Sequence, residues 1–202
     1  IEIITNKAAE ARQAVLGASD GTSLGEALAK GERLIGYYTG LQKDALATVA
    51  RIVGRNEKAD VAGYLASYMK RLDAFGALMT DQLRDCAAQK AKAASIAIVK
   101  YEAPDGDWEK KASTLIPKRH IVGTMTFEQI PVDQWEVVTG SARWWSADSW
   151  AAASYFWCDG KRSVKDIKEL VELEAGKPVV NFDLVNYFTF LEKHGMIEFV
   201  RK

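Results

Sequence analysis

The sequence predicts a mainly α chain: an N-terminal long helical hairpin followed by a winged-helix-like α+β domain. Three observations carry this expectation. Apolar residues recur at three- and four-residue steps through the first hundred positions, the period of a helix with one buried face. All six tryptophans, Trp108, Trp135, Trp144, Trp145, Trp150 and Trp157, fall after residue 107. Three of the four prolines, Pro104, Pro117 and Pro131, cluster mid-chain, where an Ala-, Lys-, Leu- and Asp-rich composition ends. The expected division is a long-helix region over residues 1–102 and a winged-helix-like domain over residues 103–202.

In the first region, Thr5 to Leu16 predicts a short helix, stopped at Gly17 and the turn-forming Ser19-Asp20-Gly21. Ser23 with Glu26 has the spacing of a capping box, in which each side chain satisfies a backbone amide of the other's turn. Behind it, Leu24, Leu28, Ile35, Tyr38, Leu41, Ala45, Val49 and Ile52 form one stripe, and Gly54 and Asn56 signal its end. Gly36 and Gly40, one turn apart, predict close approach of a second helix. From about residue 59 to residue 99 a heptad-like stripe follows, with Val61, Tyr68 and Phe75 in one position and Leu65, Leu72, Met79 and Cys86 in the other. A helix of that length spans about 60 Å. It must bury its stripe against its predecessor, as a hairpin, or against a second copy, as a homodimer through the long helices.

In the second region a strand is expected around Gly123 to Ile130. Ser146 is placed to cap a helix from Ala147 to Trp157, closed by Asp159-Gly160. Ser163 with Asp166 opens a second helix along Val164, Ile167, Leu170 and Val171, ended by Gly176 with Pro178 beyond. Asn181 is read as the cap of a third helix carrying Leu184, Tyr187, Phe188 and Leu191, closed by His194-Gly195. Met196 to Val200 reads as a strand. Three short helices and a strand, with an earlier strand to pair with it, is the winged-helix pattern.

Charge and residue types exclude several functions. Lysine plus arginine and aspartate plus glutamate each number 27, so the net charge is zero, whereas nucleic-acid binders carry a basic excess. The would-be recognition helix, Asn181 to His194, sets Asp183 and Glu192 against Lys193 alone and would repel phosphates. No apolar run reaches the roughly 20 residues that cross a bilayer. The two cysteines, Cys86 and Cys158, form neither a disulfide framework nor a zinc pair, so a reducing cytoplasm is the default expectation. The chain opens on Ile1 rather than Met, as expected of a piece of a longer protein.

The segment Trp157-Cys158-Asp159-Gly160-Lys161-Arg162-Ser163-Val164-Lys165-Asp166-Ile167 resembles a recurring pattern in which an Asp-Gly-Lys-Arg turn precedes a capped helix. It is similar to winged-helix modules that bind leader peptides in ribosomal-peptide biosynthesis. It is more similar to the C-terminal region of bacterial zinc-dependent aminopeptidase-like proteins, where such a turn precedes an aromatic helix like Tyr187-Phe188-Thr189-Phe190-Leu191 and a Gly-turn-strand like Gly195 to Val200. Pro117-x-Arg119 belongs to the same likeness, which covers about residues 116 to 200. The resemblance implies a parent peptidase whose metal ligands lie upstream of Ile1. It transfers no ligand to this chain.

No catalytic constellation is read from the residues. His120 and His194 are the only histidines, neither stands in a zinc-binding arrangement, and His194 reads as a helix C-terminal residue favoured by the dipole. Cys158 lies at a helix end, where nothing lowers its pKa. The tryptophans read mainly as core anchors. Trp144 and Trp145 are adjacent, so in a strand one of them faces outward. Trp144, Trp145, Asp183 and Asn186 are the residues expected on a contact surface. The functional expectation is a non-catalytic accessory or interaction module without metal or cofactor, contacting a protein, a peptide or another domain of its parent. The alternative is a DNA-binding winged-helix regulator with a helical dimerisation arm, and a self-contained enzyme is third.

Overall fold

The computed structural model describes residues 1–52, 58–103, 105–120, 123, 130–134 and 150–200, with the side chains of residue 50 and of residues 58–60 left aside. The chain divides into two compact units, Ile1–Glu102 and Ala103–Lys202. Among the described residues there are seven helices and a two-stranded sheet.

The first unit holds α1 (Glu2–Gly17), α2 (Gly21–Ile52) and α3 (Lys58–Ala94). Helix α1 starts three residues earlier than the sequence pattern suggests and buries Ile4, Ala8, Ala11 and Val15 along one face. Asp20, rather than Ser23, begins α2. Its carboxylate accepts the Ser23 amide at 2.8 Å, and the Ser23 hydroxyl accepts the Asp20 amide at 3.1 Å. Glu26 pairs instead with Lys30, one turn on.

Helices α2 and α3 run antiparallel, as their cross-links show: Glu32 pairs with Arg84 at 2.6 Å and Lys43 with Asp73 at 2.7 Å. Helix α1 lies against both, so the unit has three packed helices rather than two alone. All three meet at Gly31, where an added Cβ would stand 2.7 Å from Leu83 and 2.8 Å from Ala11. Arg12 of α1 also donates to Gln82 of α3.

The buried stripe of α3 is Leu72, Gly76, Met79, Leu83 and Ala87, not the strict heptad of the sequence reading. Tyr68 is exposed and Leu83, off the heptad, is fully enclosed. A straight α-helix drifts about 20° per heptad, so over several turns the residues facing fixed neighbours step off the seven-residue repeat. Helix α3 also stops before Val99. Ser95 takes a left-handed conformation at φ 54°, and the Ile96 amide folds back to the Ala91 carbonyl at 3.0 Å.

Residues 96–102 then cross α2 as an extended strap. The Val99 amide donates to the Gly21 carbonyl at 2.9 Å. A Cβ at Gly25 would lie 1.6 Å from the Val99 oxygen. Close approach therefore uses Gly21, Gly25, Gly31 and Gly76. The expectation for Gly36 and Gly40 is corrected, because nothing lies within 4 Å of an added Cβ at either. Their spacing matches a packing motif, but the space beside them is open and forms part of a cavity between α2 and α3.

The second unit holds α4 (Asp107–Thr114), β1 (Pro117–Arg119), a 3-10 turn (Val132–Gln134), α5 (Trp150–Phe156), α6 (Val164–Ala175), α7 (Leu184–Lys193) and β2 (Ile197–Phe199). Helix α4 was not anticipated. The strand expected around Gly123 to Ile130, the Ser146 cap, and Gly54 with Asn56 lie outside the described residues in whole or in part. The strand that pairs with β2 is β1, antiparallel, with Pro117 opposite Phe199, Lys118 opposite Glu198 and Arg119 opposite Ile197. The core gathers Tyr155, Cys158, Val164, Ile167, Val171, Leu184, Tyr187, Phe188, Leu191 and Ile197. These come mainly from the inward stripes of α5, α6 and α7, none of which could bury its apolar side alone.

Candidate functional site

The four residues expected on a contact surface fare differently. Trp144 and Trp145 lie outside the described residues. Asp183 and Asn186 come together at the first turn of α7, but Asp183 is employed internally. It, and not Asn181, is the N-cap: its Oδ1 accepts the amides of Val185 at 2.9 Å and Asn186 at 3.3 Å, and the Trp108 indole N–H at 3.0 Å. A carboxylate at a helix N-terminus meets unpaired amides and the positive end of the dipole. Asn181 instead takes the left-handed turn before it, at φ 56°. Asn186 remains exposed on the outer face of α7.

The Asp-Gly-Lys-Arg turn is structural in the same way. Asp159 Oδ1 accepts the amides of Lys161 at 2.9 Å and Arg162 at 3.1 Å, and its second oxygen meets the Arg162 guanidinium at 2.5 Å. Partial burial disfavours the charged carboxylate. The two amides and the guanidinium outweigh it and hold the pKa below the usual aspartate value. Gly160 follows at φ 77°, which a side chain would strain. This turn docks on β1: Arg119 donates to the Cys158 carbonyl at 3.3 Å and Gly160 to the Pro117 carbonyl at 3.0 Å. Ser163 and Asp166 then form the reciprocal box anticipated for α6, and Gly176 closes that helix at φ 66°.

Strand β1 therefore has neighbours on both edges, β2 on one side and Asp159 on the other. Among the described residues, β2 pairs with β1 alone. Its Met196, Glu198 and Val200 positions bond to His120, Lys118 and Ile116, so by strand alternation the peptide groups of Ile197 and Phe199 face the other way. Ile197 itself is enclosed in the core, so the outer edge of β2 is covered at that position.

Three of the tryptophans form a partly buried border to the core. Trp108, Trp150 and Trp157 pack against it, and each has a cation over its ring: Lys168 at 5.7 Å, Lys177 at 5.5 Å and Arg162 at 5.0 Å. This shields an aromatic face while leaving the charge hydrated. The cationic partners come from other elements, so spacing along the sequence does not reveal them.

Reactive groups are subdued. The Cys158 thiol is pushed up to about 12 by burial, with the Asp159 charge adding to it against an opposing effect of Arg119. Burial likewise raises the Tyr187 phenol, which donates to the Ala151 carbonyl at 3.1 Å. His120 Nδ1 lies 3.0 Å from the Gly195 carbonyl, and His194 Nε2 lies 3.2 Å from the Gln134 amide oxygen. Among the described residues no three His, Cys, Asp or Glu side chains gather as a metal site, and no helix is long and apolar enough to cross a membrane.

A cavity of about 340 Å³ opens between α2 and α3, lined by Ile35, Gly36, Thr39, Gly40, Lys43, Asp73, Gly76, Ala77 and Thr80. Its polar side chains are matched within the chain. Thr39 donates to Ile35, Thr80 to Gly76, and Lys43 to Asp73. It offers no group poised for a substrate. No protein-family model, no curated protein and no solved structure matches this chain.

Proposed function

We propose that the chain is a non-catalytic interaction module whose second unit contacts a protein or an extended peptide. The observation that carries this reading is the partly exposed aromatic border of Trp108, Trp150 and Trp157, with Phe156 and Asn186 exposed in the same unit. Aromatic side chains with one face packed and one end free supply contact area for a protein or an extended peptide. The order of α5, α6, α7 and β2, with β1 as partner strand, supports a winged-helix reading of this unit. On the resemblance of residues 116 to 200, the module would serve a zinc aminopeptidase-like parent whose metal ligands are not among these residues. The long helices would provide packing, as a hairpin braced by α1, or association with a second copy.

The test is an amide-resolved NMR titration of the full chain, first with a pool of unlabelled extended peptides and then with duplex DNA. Peptide should shift the indole N–H signals of Trp108, Trp150 and Trp157 and leave the amides of α2 unmoved. The DNA-binding alternative takes over if the duplex binds tightly and its affinity falls steeply between 50 and 200 mM salt, by about 10³-fold or more. The near-balance of charge on α7, with Glu192 beside Lys193 and Asp183 at its start, favours the peptide reading. Light scattering at micromolar concentration tests the second copy, and a monomer would leave the long helices as an intrachain bundle.

A further inference from the structure

We draw no further inference here: the strongest candidate, the exposed apolar strip of Leu41, Val49, Ile52, Tyr64 and Tyr68 toward the ends of α2 and α3, carries nothing because no feature of the structure shows what covers it.

Discussion

Replacing Gly25 with alanine should weaken the first unit, although alanine is the better helix former. Within α2 the substitution gains about 1 kcal/mol of helix propensity. Against this, the new Cβ would stand 1.6 Å from the Val99 carbonyl oxygen, where real Cβ contacts respect 3.0 Å, so the strap must withdraw by about 1.4 Å. Withdrawal breaks the Val99-to-Gly21 hydrogen bond, worth about 0.5–1.5 kcal/mol. It also uncovers the buried half of Val99, about 1 kcal/mol, and loosens Arg33 over the Tyr101 ring, about 0.5–1 kcal/mol. The losses exceed the gain by roughly 1–2.5 kcal/mol. Gly36→Ala is the control, since nothing crowds that position, and it should stabilise by up to about 1 kcal/mol. Hydrogen exchange reads the two directly. In Gly25→Ala the Val99 amide should lose roughly tenfold of its protection, while in Gly36→Ala it should keep it. Equal stabilisation by both substitutions, with Val99 still protected, would refute the close-approach argument.

Four further outcomes are expected. Leu83→Ala should cost about 3–5 kcal/mol, because the side chain is fully enclosed among three helices. Leu78→Ala, at a half-exposed position, should cost less than about 0.5 kcal/mol, and comparable chemical-denaturation midpoints for the two would show that the buried face of α3 is misplaced. Asp159 has a depressed folded pKa, so its contribution is complete above the unfolded value of about 3.9 and is lost as pH falls through the folded value. The second unit should therefore lose stability as pH falls below about 4, and Asp159→Asn should flatten that slope in thermal melts. Alkylation of the native chain near neutral pH should modify the half-buried Cys86 well before Cys158, whose thiol is buried and raised to about 12. Mass spectrometry of the peptides checks the order, and prompt Cys158 labelling would show that the α5 end opens readily. Trp108→Phe keeps the ring but removes the indole donor to Asp183 at 3.0 Å, and should cost about 1 kcal/mol in the stability of the second unit.

Local rules were legible where the interacting groups lie within one turn of each other. The Ser163–Asp166 box, the Gly176 stop and the helical stripes of α2 and α6 depend on spacing that any reader of the chain can count. The same reasoning misassigned two caps. From spacing alone Asp20 reads as a turn residue ahead of Ser23, and Asn181 as the cap of α7, because Asp, Asn and Ser all suit both positions and only the backbone path separates them. Of the candidate contact residues, Asn186 is exposed and Asp183 caps the helix it begins, a role that depends on where the chain turns into α7.

By itself the sequence determined that the chain is mainly helical, balanced in charge, and divided in composition near residue 102. These follow from residue counts and from periodicities that a helix imposes on its own residues. Only the tertiary structure decided that Gly25 rather than Gly36 meets another backbone, that Leu83 rather than Tyr68 is enclosed, and that β1 is a strand paired with β2. Each of these depends on where a distant segment runs, and helical period specifies a face without specifying what will lie against it.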